Sequence, residues 1–377
     1  MSLPDTATLA ARHAHVRRML DALTVDALVV TNSTNIRYLT NHVGSAGIAV
    51  LTPDAVHLVV DFRYEEAVRA VQQSESACPG LRTWEVPASY EEALVDCLIG
   101  IGVSVVGFEA AHLTVARHDW LTRTLAAKQA GIELRSTERI VEQARVVKDA
   151  FEVAALREAA ARIGPVAEMA FRAIASGRAE QEIAGVIEAA MRAAGYERTA
   201  FETIVASGPN GALPHHRAGP RALVPGDLVV LDFGGVLRGY CCDLTRTVAV
   251  GPPTPEATRV YAAVLEAQQA AIAAVRPGVD ASAIDAAARG VLELHGLGSA
   301  FGHGTGHGLG LDVHEEPRVG RHRQDLPAAV IEPGMVFTIE PGAYLPGFGG
   351  VRIEDDVLVT KGGCDVLTSV THDLLAL

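Results

Sequence analysis

Four acids and one histidine carry the chemistry this chain could do. Asp232 follows Val229-Val230-Leu231, and Glu340 follows Val336-Phe337-Thr338-Ile339. Each ends an apolar run of the kind that forms a buried strand. Carboxylates are rarely buried without a compensating partner, because desolvating them unpaired is costly. Asp243 and Glu354 lie shortly downstream, each on a second strand-like segment. Arg246 and Arg352 are candidate partners, but the acids outnumber them. Divalent cations would resolve the repulsion of four acids brought together. His307 adds a nitrogen donor. It lies in Gly302-His303-Gly304-Thr305-Gly306-His307-Gly308, where so many Gly argue for a loop that lets backbone approach a site closely. The set is oxygen-rich and suits Mn²⁺, Co²⁺ or Zn²⁺ better than a lone structural zinc. A bridging carboxylate would hold two such ions about 3.5–4 Å apart, as in two-metal hydrolases.

An internal repeat supplies the elements that position these groups. Pro225-Gly226-Asp227-Leu228-Val229-Val230-Leu231-Asp232 matches Pro333-Gly334-Met335-Val336-Phe337-Thr338-Ile339-Glu340. Each copy has a Pro-Gly turn, an apolar strand and a carboxylate, then a Gly-rich connection and a second strand with another carboxylate. The Gly residues ahead of Asp243 and Glu354, Gly239 and Gly350, are equivalent too. Two hairpins, each with two acids, are expected to face each other. Arg352 and Glu354 share a strand face, as do Asp243 and Thr245, so Arg352 can orient carboxylates and Thr245 can hydrogen-bond one. Asp355 points the other way and reads as solvated. Asp356 reads as structural. Cys241 and Cys242 read as small buried strand residues.

Around this core the chain is ordinary. It has 377 residues, enough for two domains, with 49% hydrophobic and 20% charged residues. Net charge is −13, and no Lys/Arg cluster points to nucleic acid or an anionic membrane. The five Cys include no CxxC, which argues against a disulfide framework and for a reducing compartment. No signal peptide or membrane-length apolar run is read, so the cytoplasm is the expected location. Residues 1–140 alternate strand and helix patterns and are expected to form a small α/β domain. Among its elements are strands at Gly47–Leu51, Val56–Asp61 and Val103–Phe108, and helices at Phe62–Val71 and Leu113–Ala127. No GxGxxG or Walker motif assigns it a nucleotide. A hinge near Thr137–Lys148 leads into a second domain, 147–377, with helices at Phe151–Ala175, Glu180–Ala194, Glu256–Val275 and Ser282–His295.

Five motifs occur in order: Leu231-Asp232-Phe233-Gly234-Gly235, Cys242-Asp243-Leu244-Thr245-Arg246-Thr247, Gly306-His307-Gly308-Leu309-Gly310, Thr338-Ile339-Glu340-Pro341-Gly342 and Arg352-Ile353-Glu354-Asp355-Asp356. Together they resemble the pita-bread metallopeptidases: methionine aminopeptidase, aminopeptidase P, prolidase and the metal-free creatinases. The likeness is close over about the last 230 residues, and looser over the N-terminal part, which resembles the creatinase-type domain. It implies an α+β pita-bread catalytic domain behind a smaller α/β domain. It also implies that Asp232, Asp243, His307, Glu340 and Glu354 hold two divalent ions, with Mn favoured and Co or Zn possible, in a homodimer.

The resemblance also gives roles to groups that, taken singly, would read as polar loop residues. His215 resembles a substrate-binding His of the proline-directed members. His314 resembles the His that contacts the scissile carbonyl, and His303 a proton relay. Glu340 would shuttle a proton besides holding metal. Arg352 would orient substrate or carboxylates. The expected reaction is hydrolysis of Xaa-Pro peptides, with dipeptides preferred. Aminopeptidase P action on longer peptides is the alternative. A creatinase-like amidinohydrolase or a non-enzymatic binding protein should have lost ligand acids, and all five are retained here.

Overall fold

The computed structural model describes residues 3–322 and 328–377, and the chain divides into two compact units, Met1–Arg145 and Val146–Leu377.

The first unit contains α1 (Thr6–Leu23), β1 (Ala27–Val30), α2 (Ser33–Thr40), β2 (Ile48–Leu51), β3 (Val56–Val60) and α3 (Phe62–Gln72). It continues with β4 (Leu81–Glu85), α4 (Tyr90–Ile101), β5 (Val105–Glu109), α5 (Val115–Ala127), β6 (Glu133–Thr137) and α6 (Ile140–Ala144). The strands make one mixed sheet, ordered β4-β3-β2-β1-β5-β6. Strands β1, β2 and β3 are buried along their whole length, as expected of apolar runs covered on both faces. The antiparallel pairing of β2 with β1 and β3 breaks a simple β/α alternation. Elements α1, β4, α4 and β6 lie where the sequence pattern is weak. The first and last strands of this group are mostly polar edges, where a sheet demands little periodicity: β4 and β6 are partly exposed throughout most of their length.

The second unit begins with α7 (Ala150–Ala173) and α8 (Glu180–Ala193), then β7 (Arg198–Thr199), β8 (Ile204–Ser207), β9 (Leu228–Leu237) and β10 (Tyr240–Ala249). Helix α7 starts at a capping box, with Asp149 and Glu152 each satisfying the other's backbone N–H. Helices α9 (Pro255–Ala274) and α10 (Ala281–Leu294) follow, then β11 (Gly306–Gly308), β12 (Glu315–Val319), β13 (Val336–Ile339), β14 (Gly342–Leu345), β15 (Gly349–Arg352), β16 (Asp355–Val359) and β17 (Cys364–Val366).

Each half of this unit packs a helix pair on a strand pair. Ile163 and Ala167 of α7 and Ile183 and Ile187 of α8 share one core with Leu231, Phe233, Cys242 and Leu244. Val260 and Val264 of α9 and Ile284 and Leu292 of α10 share another with Phe337, Ile339, Ile353 and Val357. The first hairpin is continuous, with β9 and β10 in register over ten residue pairs around the turn at Arg238-Gly239. Both turn residues have positive φ, 53° and 81°, as a two-residue hairpin turn requires.

The two hairpins are not equivalent. In the second, the ladder is interrupted at the acids themselves: β13 pairs with β16 and β14 with β15. Pro341 has no N–H to donate and stands beside Glu340 at the break.

Candidate metal centre

Because α7 and α8 cover the face of β9 and β10 that carries Leu231, Phe233, Cys242 and Leu244, the opposite face carries Asp232, Asp243 and Thr245. Thr245 stands directly across the ladder from Asp232. The interruption of the second hairpin lets Glu354 join the first, where its N–H donates to the Thr245 carbonyl at 3.1 Å. The Thr245 hydroxyl donates in turn to Glu354 Oε2 at 2.6 Å. Ligand atoms of Asp243, His307 and Glu354 lie within 4.8 Å of one another. His307 Nε2 is 3.6 Å from Glu340 Oε1 and 3.9 Å from Asp243 Oδ2. Its Nδ1 donates to the Gly308 carbonyl at 3.1 Å, which turns the Nε2 lone pair toward the acids. Asp232 is tied in by an ion pair with Arg352.

This donor set fits a divalent cation. The Oδ1 atoms of Asp232 and Asp243 are buried with no hydrogen-bond partner. Burial, then repulsion from Glu354 and Asp232, pushes Asp243 well above the usual carboxylate range. Burial and the charges of Glu340 and Asp232 do the same to Glu354. Glu340 is pushed up to about 8, chiefly by burial, with Arg352 opposing and Asp232 adding to the rise. Burial lowers His307 to about 4, which keeps its imidazole neutral and able to ligate. A cation would discharge these costs together.

Several sequence expectations need correction. His307 lies on the short strand β11 rather than in a loop. The glycines around it serve strand packing: a Cβ on Gly306 would strike the Thr338 carbonyl, and one on Gly308 the Glu316 carbonyl. Arg246 pairs with none of the cluster's carboxylates and reaches it only through the Glu354 main-chain carbonyl, at 2.6 Å. It donates to Asp355 Oδ1 at 2.8 Å. Asp355 is not solvated but fully buried, with Gln268, Thr368 and His372 as further partners. Alternation placed it correctly on the other face; the segment that covers that face comes from the far C-terminus and from α9. Asp356 accepts the Asp243 N–H at 3.1 Å. Cys241 and Cys242 are buried thiols, and burial raises both, Cys242 to about 12, so neither offers a thiolate.

Arg352 links much of the outer shell. Besides Asp232 it donates to Thr245 Oγ1 at 3.1 Å, the Tyr344 hydroxyl at 2.9 Å and the Pro214 carbonyl at 3.4 Å. His303 Nδ1 must donate to the Gly304 carbonyl at 2.8 Å, so Nε2 accepts from the Tyr344 hydroxyl at 2.8 Å. Burial lowers His303 to about 4. The His314 ring lies 4.3 Å from that of His307, and its side chain is exposed. Partial desolvation, then His215, lowers its pKa. His215 is exposed and also acts electrostatically on His303, so the three outer histidines converge.

Sequence reasoning missed four contributors. Tyr344 joins His303 to Arg352. Lys148, fully buried, pairs at 2.9 Å with Glu315, the residue after His314, and Glu315 also accepts the Asp312 N–H. Arg318 stands across the β11–β12 ladder from His307 with its side chain exposed. Glu180 gathers the segment that carries His215. Only Arg318 had a legible signal, an Arg on a strand beside the Gly-rich segment.

Comparison with known proteins gives the family. Residues 154–361 match metallopeptidase family M24, and residues 12–147 match the creatinase/prolidase N-terminal domain. The chain is 33% identical to an Xaa-Pro dipeptidase of Pyrococcus horikoshii over 94% of its own length and 96% of the relative's. The structure of an Xaa-Pro dipeptidase from Bacillus anthracis superimposes with a TM-score of 0.90 at 34% identity, covering 98% of this chain and 100% of the other. An X-Pro aminopeptidase from Thermotoga maritima gives 0.84 at 30% identity, covering 97% and 99%. The chain belongs to metallopeptidase family M24, with the pita-bread catalytic fold behind a creatinase-type N-terminal domain, and is a metal-dependent peptidase.

Proposed function

We propose that this member of family M24 hydrolyses Xaa-Pro dipeptides, with Asp232, Asp243, His307, Glu340 and Glu354 as ligands of two divalent ions. The observation that carries the reading is the donor set itself: converging acids with orphaned oxygens on Asp232 and Asp243, and a histidine turned toward them. The oxygen-rich set favours Mn²⁺, with Co²⁺ or Zn²⁺ as substitutes. Such ions, when bound, supply Lewis acidity toward a carbonyl and toward water.

The chain's own groups do the rest. The Glu340 side chain is 18% exposed against 6% for Asp243, which suits it to take a proton from water as well as to bind. His314, exposed beside His307, donates to the scissile carbonyl oxygen, and that bond strengthens as charge develops there. His215 binds substrate from the facing segment. The Xaa-Pro bond is a tertiary amide, so its nitrogen leaves only with a proton supplied by the enzyme. Glu340 returns to that nitrogen the proton it takes from water, while His303, neutral and accepting from Tyr344 at Nε2, fixes the orientation of the Tyr344 hydroxyl. Arg352 holds Asp232, Thr245 and Tyr344 in one arrangement.

A dipeptide brings a free carboxylate close to its scissile bond. The exposed Arg318 guanidinium, opposite His307, suits that charge and favours dipeptides over longer chains. The names of the P. horikoshii and B. anthracis relatives support the same choice, and that of the T. maritima neighbour keeps the aminopeptidase alternative in play. The domains are taken as 1–140 and 147–377, and the protein as a cytoplasmic homodimer. The test is a length series, Xaa-Pro against Xaa-Pro-Yaa, with Mn²⁺, Co²⁺ and Zn²⁺ in turn. Dipeptides should be cleaved best. Preferred cleavage of the tripeptides would replace this reading by the aminopeptidase one, and full activity after metal stripping would end both.

A further inference from the structure

Glu180 opens α8, and its carboxylate is completely buried. Such a group is costly unless its oxygens are filled. Here Oε1 accepts from the Ser207 N–H at 2.8 Å, the Ser207 hydroxyl at 2.6 Å and Asn210 Nδ2 at 3.0 Å. Oε2 accepts from His216 Nε2 at 2.8 Å and the Gly219 N–H at 3.3 Å. Burial alone would raise this acid, but the hydrogen bonds from Ser207, Asn210 and His216 outweigh it and hold it below its ordinary value.

All five donors belong to one segment, residues 207–219. Backbone contacts run to the same place. Helix α8 begins after Ala179, which has no capping side chain, and its first N–H groups are taken by that segment's far end. Glu180 N donates to the Arg221 carbonyl at 3.0 Å and Gln181 N to the Gly219 carbonyl at 3.1 Å. The start of α8 is thus the mount for a compact loop whose ends close on one carboxylate.

His215 sits in that loop between two pinned neighbours. The Pro214 carbonyl accepts from Arg352 Nη1 at 3.4 Å, and the His216 ring donates to Glu180. The backbone on either side is therefore held, from the acid cluster by Arg352 and from α8 by Glu180, while the His215 side chain stays exposed. We infer that Glu180 is a positioning residue for peptide hydrolysis, setting the place of His215 through His216, Ser207 and Asn210. The inference rests on the Xaa-Pro reading for the role of His215. Glu180 itself touches neither substrate nor metal.

The isosteric Glu180→Gln places an amide NH₂ where five donors point. It is expected to lower kcat/KM for an Xaa-Pro dipeptide about 10- to 100-fold, the usual effect of displacing a contact group by about 1 Å. Bound Mn²⁺ should be unchanged, and amide exchange should rise in 207–219 but not in 228–249. The deciding measurement is a double-mutant cycle with His215→Ala. If Glu180 acts through His215, Glu180→Gln costs nothing further in the His215→Ala background. Multiplying losses, or unchanged exchange in 207–219, would overturn the inference. Should Glu180→Gln fold poorly, His216→Phe removes one donor alone and enters the same cycle with the same criteria. A wild-type enzyme inactive on Xaa-Pro substrates would refute the functional reading instead, and the exchange comparison, made on resting protein, would still decide whether Glu180 holds the loop.

Discussion

Stripped of metal, the protein should grow less stable as pH rises, and metal should reverse this. The Glu340 carboxyl is displaced from 4.5 to about 8, by burial first. At about 1.4 kcal/mol per pH unit, that is on the order of 5 kcal/mol. The sign follows from linkage: above pH 4.5 the unfolded chain gives up a proton that the folded one retains. The associated stability is complete below 4.5 and is lost as pH rises through about 8. Asp243 and Glu354 are displaced in the same direction and steepen the loss. A divalent ion takes the place of these protons, so its affinity should rise with pH, and binding at neutral pH should release protons. For a unit of this size 5 kcal/mol corresponds to roughly 10 °C. Differential scanning calorimetry of EDTA-treated and Mn²⁺-loaded protein, from about pH 5 to 8.5, should show the two Tm curves diverging. In the stripped form Glu340→Gln should flatten the slope. A Tm difference that stays constant with pH, or a stripped protein that gains stability toward pH 8, would refute the electrostatic account of the cluster.

Three further outcomes are expected. Asp243→Ala should abolish dipeptide hydrolysis and lower the Mn²⁺ retained after gel filtration, because on the proposed assignment it removes a ligand. Lys148→Met leaves the nearly buried Glu315 without its ammonium and should cost about 3–5 kcal/mol in chemical denaturation. Arg352→Lys keeps the charge but cannot reach Asp232, Thr245 and Tyr344 together; metal titration and steady-state kinetics should show a loss of about 10- to 100-fold in affinity or rate.

What could be read in the sequence, and what could not, divides along a physical line. A carboxylate at the end of an apolar strand is a local contradiction, and Asp232 and Glu340 announce themselves by it. Strand parity then puts Thr245 with Asp243 and Arg352 with Glu354, and the Thr245 hydroxyl does bind Glu354. Parity says which way a side chain points but not what lies there. Parity therefore turns Asp355 to the correct face but leaves it to solvent, whereas Arg246 and His372 meet it from 109 and 17 residues away. The same holds for the residues that steady the outer shell. Lys148 meets Glu315 across 167 positions, and Glu180 meets His216 across 36. Neither stands in a pattern that local chemistry marks as costly until its partner is known. The hairpins make the point from the other side. Their shared Pro-Gly-strand-acid signature is real, yet Pro341 breaks the second ladder at Glu340, and that break frees Glu354 to bond across to Thr245. The repeat supplies the four acids; its imperfection brings them together.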